Sequence, residues 1–107
     1  MYLPNVTRTL GGASGWTTPI VVQSAGAATA TLRWYRFGDA LLVRTQTVTL
    51  PFGGATWLDP RSVGGLSDDA QYAVVIDGTG GSITAIVYEQ LLGGGGDGVM
   101  IYGGVTE

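Results

Sequence analysis

The chain has 107 residues, which is enough for one domain and too few for a second core. Cysteine, lysine and histidine are absent. That excludes disulfides, thiolate and imidazole metal sites, Schiff-base chemistry and the Ser–His or Cys–His pairs of nucleophilic catalysis. The basic residues are Arg8, Arg33, Arg36, Arg44 and Arg61, and eight acids leave a net charge of −3, so neither a nucleic-acid track nor an anionic membrane surface is indicated.

The opening Met1-Tyr2-Leu3-Pro4-Asn5 has no basic stretch followed by an apolar one, so it does not read as a signal peptide. No window approaches the roughly 18 apolar residues of a membrane helix, so membrane insertion is not expected. Residues 2–6 read as an edge strand, with Pro4 where a ladder N–H is dispensable. The next strand is 16–23, and Pro19 is likewise expected at an edge or strand start. Residues 29–37 alternate, with Ala30, Leu32 and Trp34 on one face and Thr31, Arg33 and Tyr35 on the other. Phe37-Gly38-Asp39-Ala40 then reads as a tight hairpin into a Thr- and Val-rich strand at 41–50. Pro51-Phe52-Gly53-Gly54 turns the chain into 55–58, and Asp59-Pro60-Arg61-Ser62 turns it again. Strand 71–77 puts Tyr72, Val74 and Ile76 on one face, and Asp77-Gly78-Thr79-Gly80-Gly81 is read as a hairpin into 82–90. A glycine-rich connector, 93–98, leads to a last strand at 99–102.

Helical periodicity is missing beyond one turn near 62–69. About eight short strands separated by glycine turns predict an all-β domain, a sandwich or a small barrel. The expected core is Leu32, Trp34, Val43, Val48, Val74, Ile76, Ile83, Val87 and Ile101.

Little in this sequence carries chemistry, and no cofactor or catalytic residue is expected. The adjacent Asp68 and Asp69 are read as solvated loop acids, not a catalytic pair. The 93–98 run lacks the Lys and Ser/Thr of a phosphate loop. Asp97, or Asp59 with Asp68 and Asp69, supplies too few oxygens at the wrong spacing for calcium. Asn5-Val6-Thr7 matches a glycosylation sequon, a short motif that often occurs by chance. Glu89 continues the face of Ile83, Ala85 and Val87 and is expected to point inward, held in an ion pair by Arg33, Arg36 or Arg44. Of the three tryptophans, Trp34 reads as core, whereas Trp16 and Trp57 are candidates for a protein interface or a sugar platform. Tyr2 and Tyr102, on the terminal strands, are further interface candidates.

Four segments together resemble a known module: Tyr2-Leu3-Pro4-Asn5-Val6-Thr7-Arg8; Gly15-Trp16-Thr17-Thr18-Pro19-Ile20-Val21-Val22-Gln23; Ala85-Ile86-Val87-Tyr88-Glu89-Gln90; and Tyr102-Gly103-Gly104-Val105. In order and spacing they are similar to the tandemly repeated β-sandwich modules of bacterial secreted and cell-surface proteins. Two departures are Ser24 and Tyr88, where the family usually carries Asn. The resemblance implies an immunoglobulin-like, two-layer antiparallel sandwich of seven to eight strands. It implies a non-catalytic spacer or adhesion module at the cell surface or outside the cell, with protein as partner, either itself or neighbouring repeats. A carbohydrate-binding module using an exposed Trp is the second reading. A self-assembling subunit of a fibre or shell is the third. With no Lys to protect open edges, self-association is expected through a terminal strand or the Trp16 loop.

Overall fold

Alternation of buried and half-exposed positions, not helical spacing, organises the chain. β4 (Ala28–Arg36) shows it most clearly, burying Ala28, Ala30, Leu32 and Trp34 and leaving Thr29, Thr31, Arg33 and Tyr35 between them. The computed structural model describes residues 1–12, 15–91 and 99–103; for Glu89, Leu91 and 99–103 it describes the backbone. The other strands are β1 (Tyr2–Arg8), β2 (Trp16–Thr17), β3 (Ile20–Ser24), β5 (Leu42–Leu50), β6 (Ala55–Leu58), β7 (Ala70–Thr79), β8 (Ile83–Leu91) and β9 (Val99–Gly103). Among the described residues the one helical segment is a 3-10 turn, Pro60–Ser62, capped by Asp59.

The strands form two antiparallel sheets, giving the all-β sandwich expected from the sequence. One sheet has the order β1-β7-β4-β5. In the other, β3 lies between β8 and β6, and β9 pairs with β8. β2 and β3 run along β8 in a single register, so they are one strand interrupted at Thr18-Pro19. Pro19 stands immediately before Ile20, at a strand start as expected, although the strand is internal to the sheet. Its carbonyl accepts the Tyr88 N–H at 2.9 Å, and only the return bond of that pair is lost.

A hairpin joins β4 to β5, β9 lies antiparallel beside β8, and β7 and β8 lie in different sheets. The hairpin expected at 77–81 is therefore replaced by a crossover. β7 continues to Thr79, paired with Thr29, and the chain then passes through Gly80 (φ 90°) to the opposite sheet.

The core lies between the sheets. Leu3, Val6, Leu32, Trp34, Tyr72, Val74 and Ile76 face Ile20, Val22, Ala85 and Val87 across it, and Val63 and Leu66 close one end. Trp34 and Tyr72 meet edge to face, with ring centroids 6.2 Å apart. The Tyr72 hydroxyl accepts the Ser67 N–H at 2.7 Å. A buried Trp and a Tyr bonded to backbone a few residues upstream are both features of immunoglobulin-type sandwiches.

Val43, Val48 and Ile83, expected in the core, are only partly buried. For the two valines the reason is that β5 is an edge strand. Ile101 lies outside the residues whose side chains are described. Conversely, Leu3 lies on an edge strand as expected, but its side chain, expected to offer apolar surface, is fully buried. A bulge between Leu3 and Val6 lets residues three apart both face inward.

Candidate interaction surface

Trp57 sits on β6, a four-residue edge strand, opposite Val21 of β3, which is in turn opposite Ile86 of β8. These three form one row on the outer face of their sheet, alternating with the buried Ile20, Val22, Ala85 and Val87. Trp57 is 56% exposed, and its ring makes a tilted contact with Tyr88 at 5.4 Å between centroids. The side chains around it, Val21, Gln23, Thr84 and Ile86, carry no charge. An uncharged face with an exposed indole suits either a protein contact or stacking on a sugar ring.

Trp16, expected at the rim of a loop, is the first residue of the short strand β2. It is half-buried, and its backbone exchanges two hydrogen bonds with Leu10, at 2.7 and 2.8 Å. Gly15 permits this close return: a Cβ there would stand 2.0 Å from the Leu10 carbonyl oxygen. The neighbouring threonines extend the clamp. Thr7 Oγ1 donates to the Trp16 carbonyl at 3.1 Å, Thr17 Oγ1 donates to the Thr7 carbonyl at 3.2 Å, and Thr18 Oγ1 accepts the Thr7 N–H. Thr7 is thus committed to the interior, and the sequon of Asn5 lies inside a paired strand, where Asn5 accepts a bond from Gln71.

Tyr2 is 37% exposed on β1, an edge of the opposite sheet, so it and Trp57 do not form one site. Tyr102 pairs with Val87 through the backbone of β9, also an edge, but its side chain lies outside the described residues.

Four of the arginines pair with aspartates among the described residues. Arg33 pairs with Asp77 across β4 and β7, and Arg36 pairs with Asp39 within the hairpin. Arg61 binds Asp59 at 2.6 Å, and Arg8 lies 3.2 Å from Asp68. Arg44 is exposed on β5 and has no carboxylate partner among the described residues. The Glu89 side chain lies outside the described residues. The Arg36 guanidinium, helped by the Leu41 N–H, holds the Asp39 carboxyl down at about 2. For Asp59, burial pushes the pKa up, but the guanidinium and N–H of Arg61 outweigh it and the net shift is downward. Asp69 accepts the Gly11 N–H at 2.8 Å. Among the described residues no three carboxylates gather as a metal cage.

Sequence reasoning passed over four exposed apolar residues. Phe37 and Leu41 lie in the β4–β5 hairpin loop, Leu42 opens β5, and Phe52, 82% exposed, tips the next turn. Apolar residues inside glycine turns, at Phe37-Gly38 and Phe52-Gly53, were the available signal. An open depression of about 300 Å³, lined by Ala27, Ala28, Thr29, Thr49, Leu50, Thr79 and Gly80, has no ionisable side chain to work with. Compared with known protein families, curated proteins and solved structures, the chain matches none.

Proposed function

We propose that this domain is a non-catalytic structural or interaction module of a bacterial exported or surface protein. It works through protein contacts, with copies of itself or with neighbouring repeats. The bacterial, extracellular setting rests on the four-segment resemblance. The contact reading rests on one observation. Of the six large apolar side chains exposed among the described residues, five (Phe37, Leu41, Leu42, Phe52 and Trp57) lie along the β5–β6 side of the sandwich. Phe37, Leu41 and Leu42 lie together at the start of β5, and apolar groups exposed together mark a contact surface. The ion pairs agree with this reading: four of the five arginines face a carboxylate, so few cations are left to follow a phosphate backbone.

Light scattering from micromolar to millimolar protein tests the reading, run beside a tandem of two fused copies. A mass that rises with concentration, or a tandem that melts above the single copy, is expected. A single copy of constant monomer mass and a tandem with unchanged melting would together remove the reading. Growth without a plateau would favour a fibre or shell subunit. The Trp57–Tyr88 pair supports the second reading, carbohydrate binding. A saturable change in Trp fluorescence on titration with a glycan panel, lost in Trp57→Ala, would promote it.

A further inference from the structure

Of the four sheet edges among the described residues, β5 has the least protection. β1 carries Pro4 and a bulge between Leu3 and Val6, which withdraw ladder groups from any partner. β6 is four residues long and β9 five. β5 runs for nine residues, Leu42–Leu50, with no proline, no glycine and a single charge, Arg44; its register against β4 shifts once, at Val43, and is regular from Arg44 to Leu50. It pairs on one side only, with β4. Another segment approaches it near Val43, where a Cβ on Gly65 would stand 3.6 Å from the carbonyl.

The sequence of this strand is partly its own mirror image, with two of the four pairs about Gln46 identical. Leu42-Val43-Arg44-Thr45-Gln46-Thr47-Val48-Thr49-Leu50 reads outward from Gln46 as Thr and Thr, Arg and Val, Val and Thr, Leu and Leu. In an antiparallel pair of two identical strands related by a two-fold axis at Gln46, Thr45 stands opposite Thr47 of the other copy, within the regular stretch that begins at Arg44. Arg44 meets Val48 instead of a second Arg44, so the one charge does not oppose itself. The same axis brings the exposed Phe37, Leu41 and Leu42 at one end of the strand toward the Leu50–Phe52 end of the second copy. Such a self-complementary patch is what a two-fold interface requires.

We propose that the partner of this edge is a second copy of the chain, joined β5 to β5 about Gln46, so that two four-stranded sheets become one continuous sheet of eight. The proposal rests on the reading of the domain as a protein-contact module. It moves the contact from the terminal strands and the Trp16 loop to the middle of the chain.

The test uses the two exposed threonines that face each other across the axis. Sedimentation equilibrium of the unaltered chain should give a mass that plateaus at twice the monomer. Thr45→Lys/Thr47→Lys sets lysine against lysine at both positions and should leave a monomer. Thr45→Glu/Thr47→Lys sets glutamate against lysine only in this register and should restore the dimer. Far-ultraviolet circular dichroism and melting show that each variant is folded. If the unaltered chain associates and the double-lysine variant associates equally well, β5 is the wrong surface and the contact-module reading stands. If the Glu/Lys variant stays monomeric like the double-lysine one, the Gln46 register is wrong. If the unaltered chain is monomeric to millimolar concentration, the dimer is excluded, and unchanged melting of the tandem would then remove the contact-module reading as well.

Discussion

The indole N–H of Trp34, buried at the centre of the sandwich, donates to Oε1 of Gln46 on the neighbouring strand at 2.7 Å. Gln46 is therefore a polar residue kept half-buried by the need of a larger one. Removing it strands a buried donor, at a cost of about 1–3 kcal/mol. Gln46→Ala in dilute protein should lower stability by that amount, and most of the loss should vanish in a Trp34→Phe background. Equal losses in both backgrounds, measured by urea unfolding, would show that the bond contributes nothing.

Leu3 and Tyr2 are sequence neighbours with opposite fates. Leu3 is fully buried, and Tyr2 is 37% exposed. Leu3→Ala should cost about 2–5 kcal/mol through lost burial and the cavity left behind. Tyr2→Ala should cost far less. Denaturant midpoints that shift equally for the two would contradict the inward turn at the β1 bulge.

Gly15 has no room for a side chain, because a Cβ would sit 2.0 Å from the oxygen and 2.6 Å from the carbon of the Leu10 carbonyl. Gly15→Ala must break the Leu10–Trp16 exchange or shift the backbone, and should destabilise by about 1–3 kcal/mol or more. Gly26→Ala is the control: nothing lies within 4 Å, and its melting temperature should hold or rise. Matching losses in both variants would mean that the Leu10 contact is not the cause.

Asp39 offers a pH test. Its pKa falls from the usual 3.8 to about 2 on folding, chiefly through the Arg36 hydrogen bonds. A carboxyl lowered in the folded state adds stability that is fully present above 3.8 and is lost as pH falls toward about 2. Asp39→Asn should flatten the stability curve in that window and leave its slope near neutrality unchanged. The effect is small because both partners are half-exposed. Titration of Asp39 by carbon-detected NMR reads the same quantity, and an ordinary carboxylate midpoint would overturn the assignment.

Trp57 and Tyr88 touch from strands two places apart, with β3 running between them. Aromatic contacts of this kind contribute about 0.5–1.5 kcal/mol beyond their burial. A double-mutant cycle with Trp57→Ala and Tyr88→Ala should return a coupling energy in that range. Simple additivity would mean the rings are neighbours without mutual stabilisation.

The amino-acid pattern determined the all-β class, the approximate places of the strands and the inward face of 29–37, because alternation along a strand is a local property. It also placed the chain ends at sheet edges, where β1 and β9 lie. What it did not contain was the pairing. Arg33 and Arg36 have carboxylates within reach at Asp77 and Asp39, and choosing Asp77 requires knowing that β4 lies beside β7. The 77–81 turn has the residues of a hairpin, yet the chain there changes sheets, because β7 is already flanked by β1 and β4. The bulge in β1 is likewise invisible to period-two counting: it turns Val6 inward beside Leu3 and Thr7. The exposure of Leu42 and Trp57 depends on β5 and β6 both being edges. Local alternation fixes which residues form a strand, whereas only closure of the two sheets over a shared core decides which strands are left with an open side.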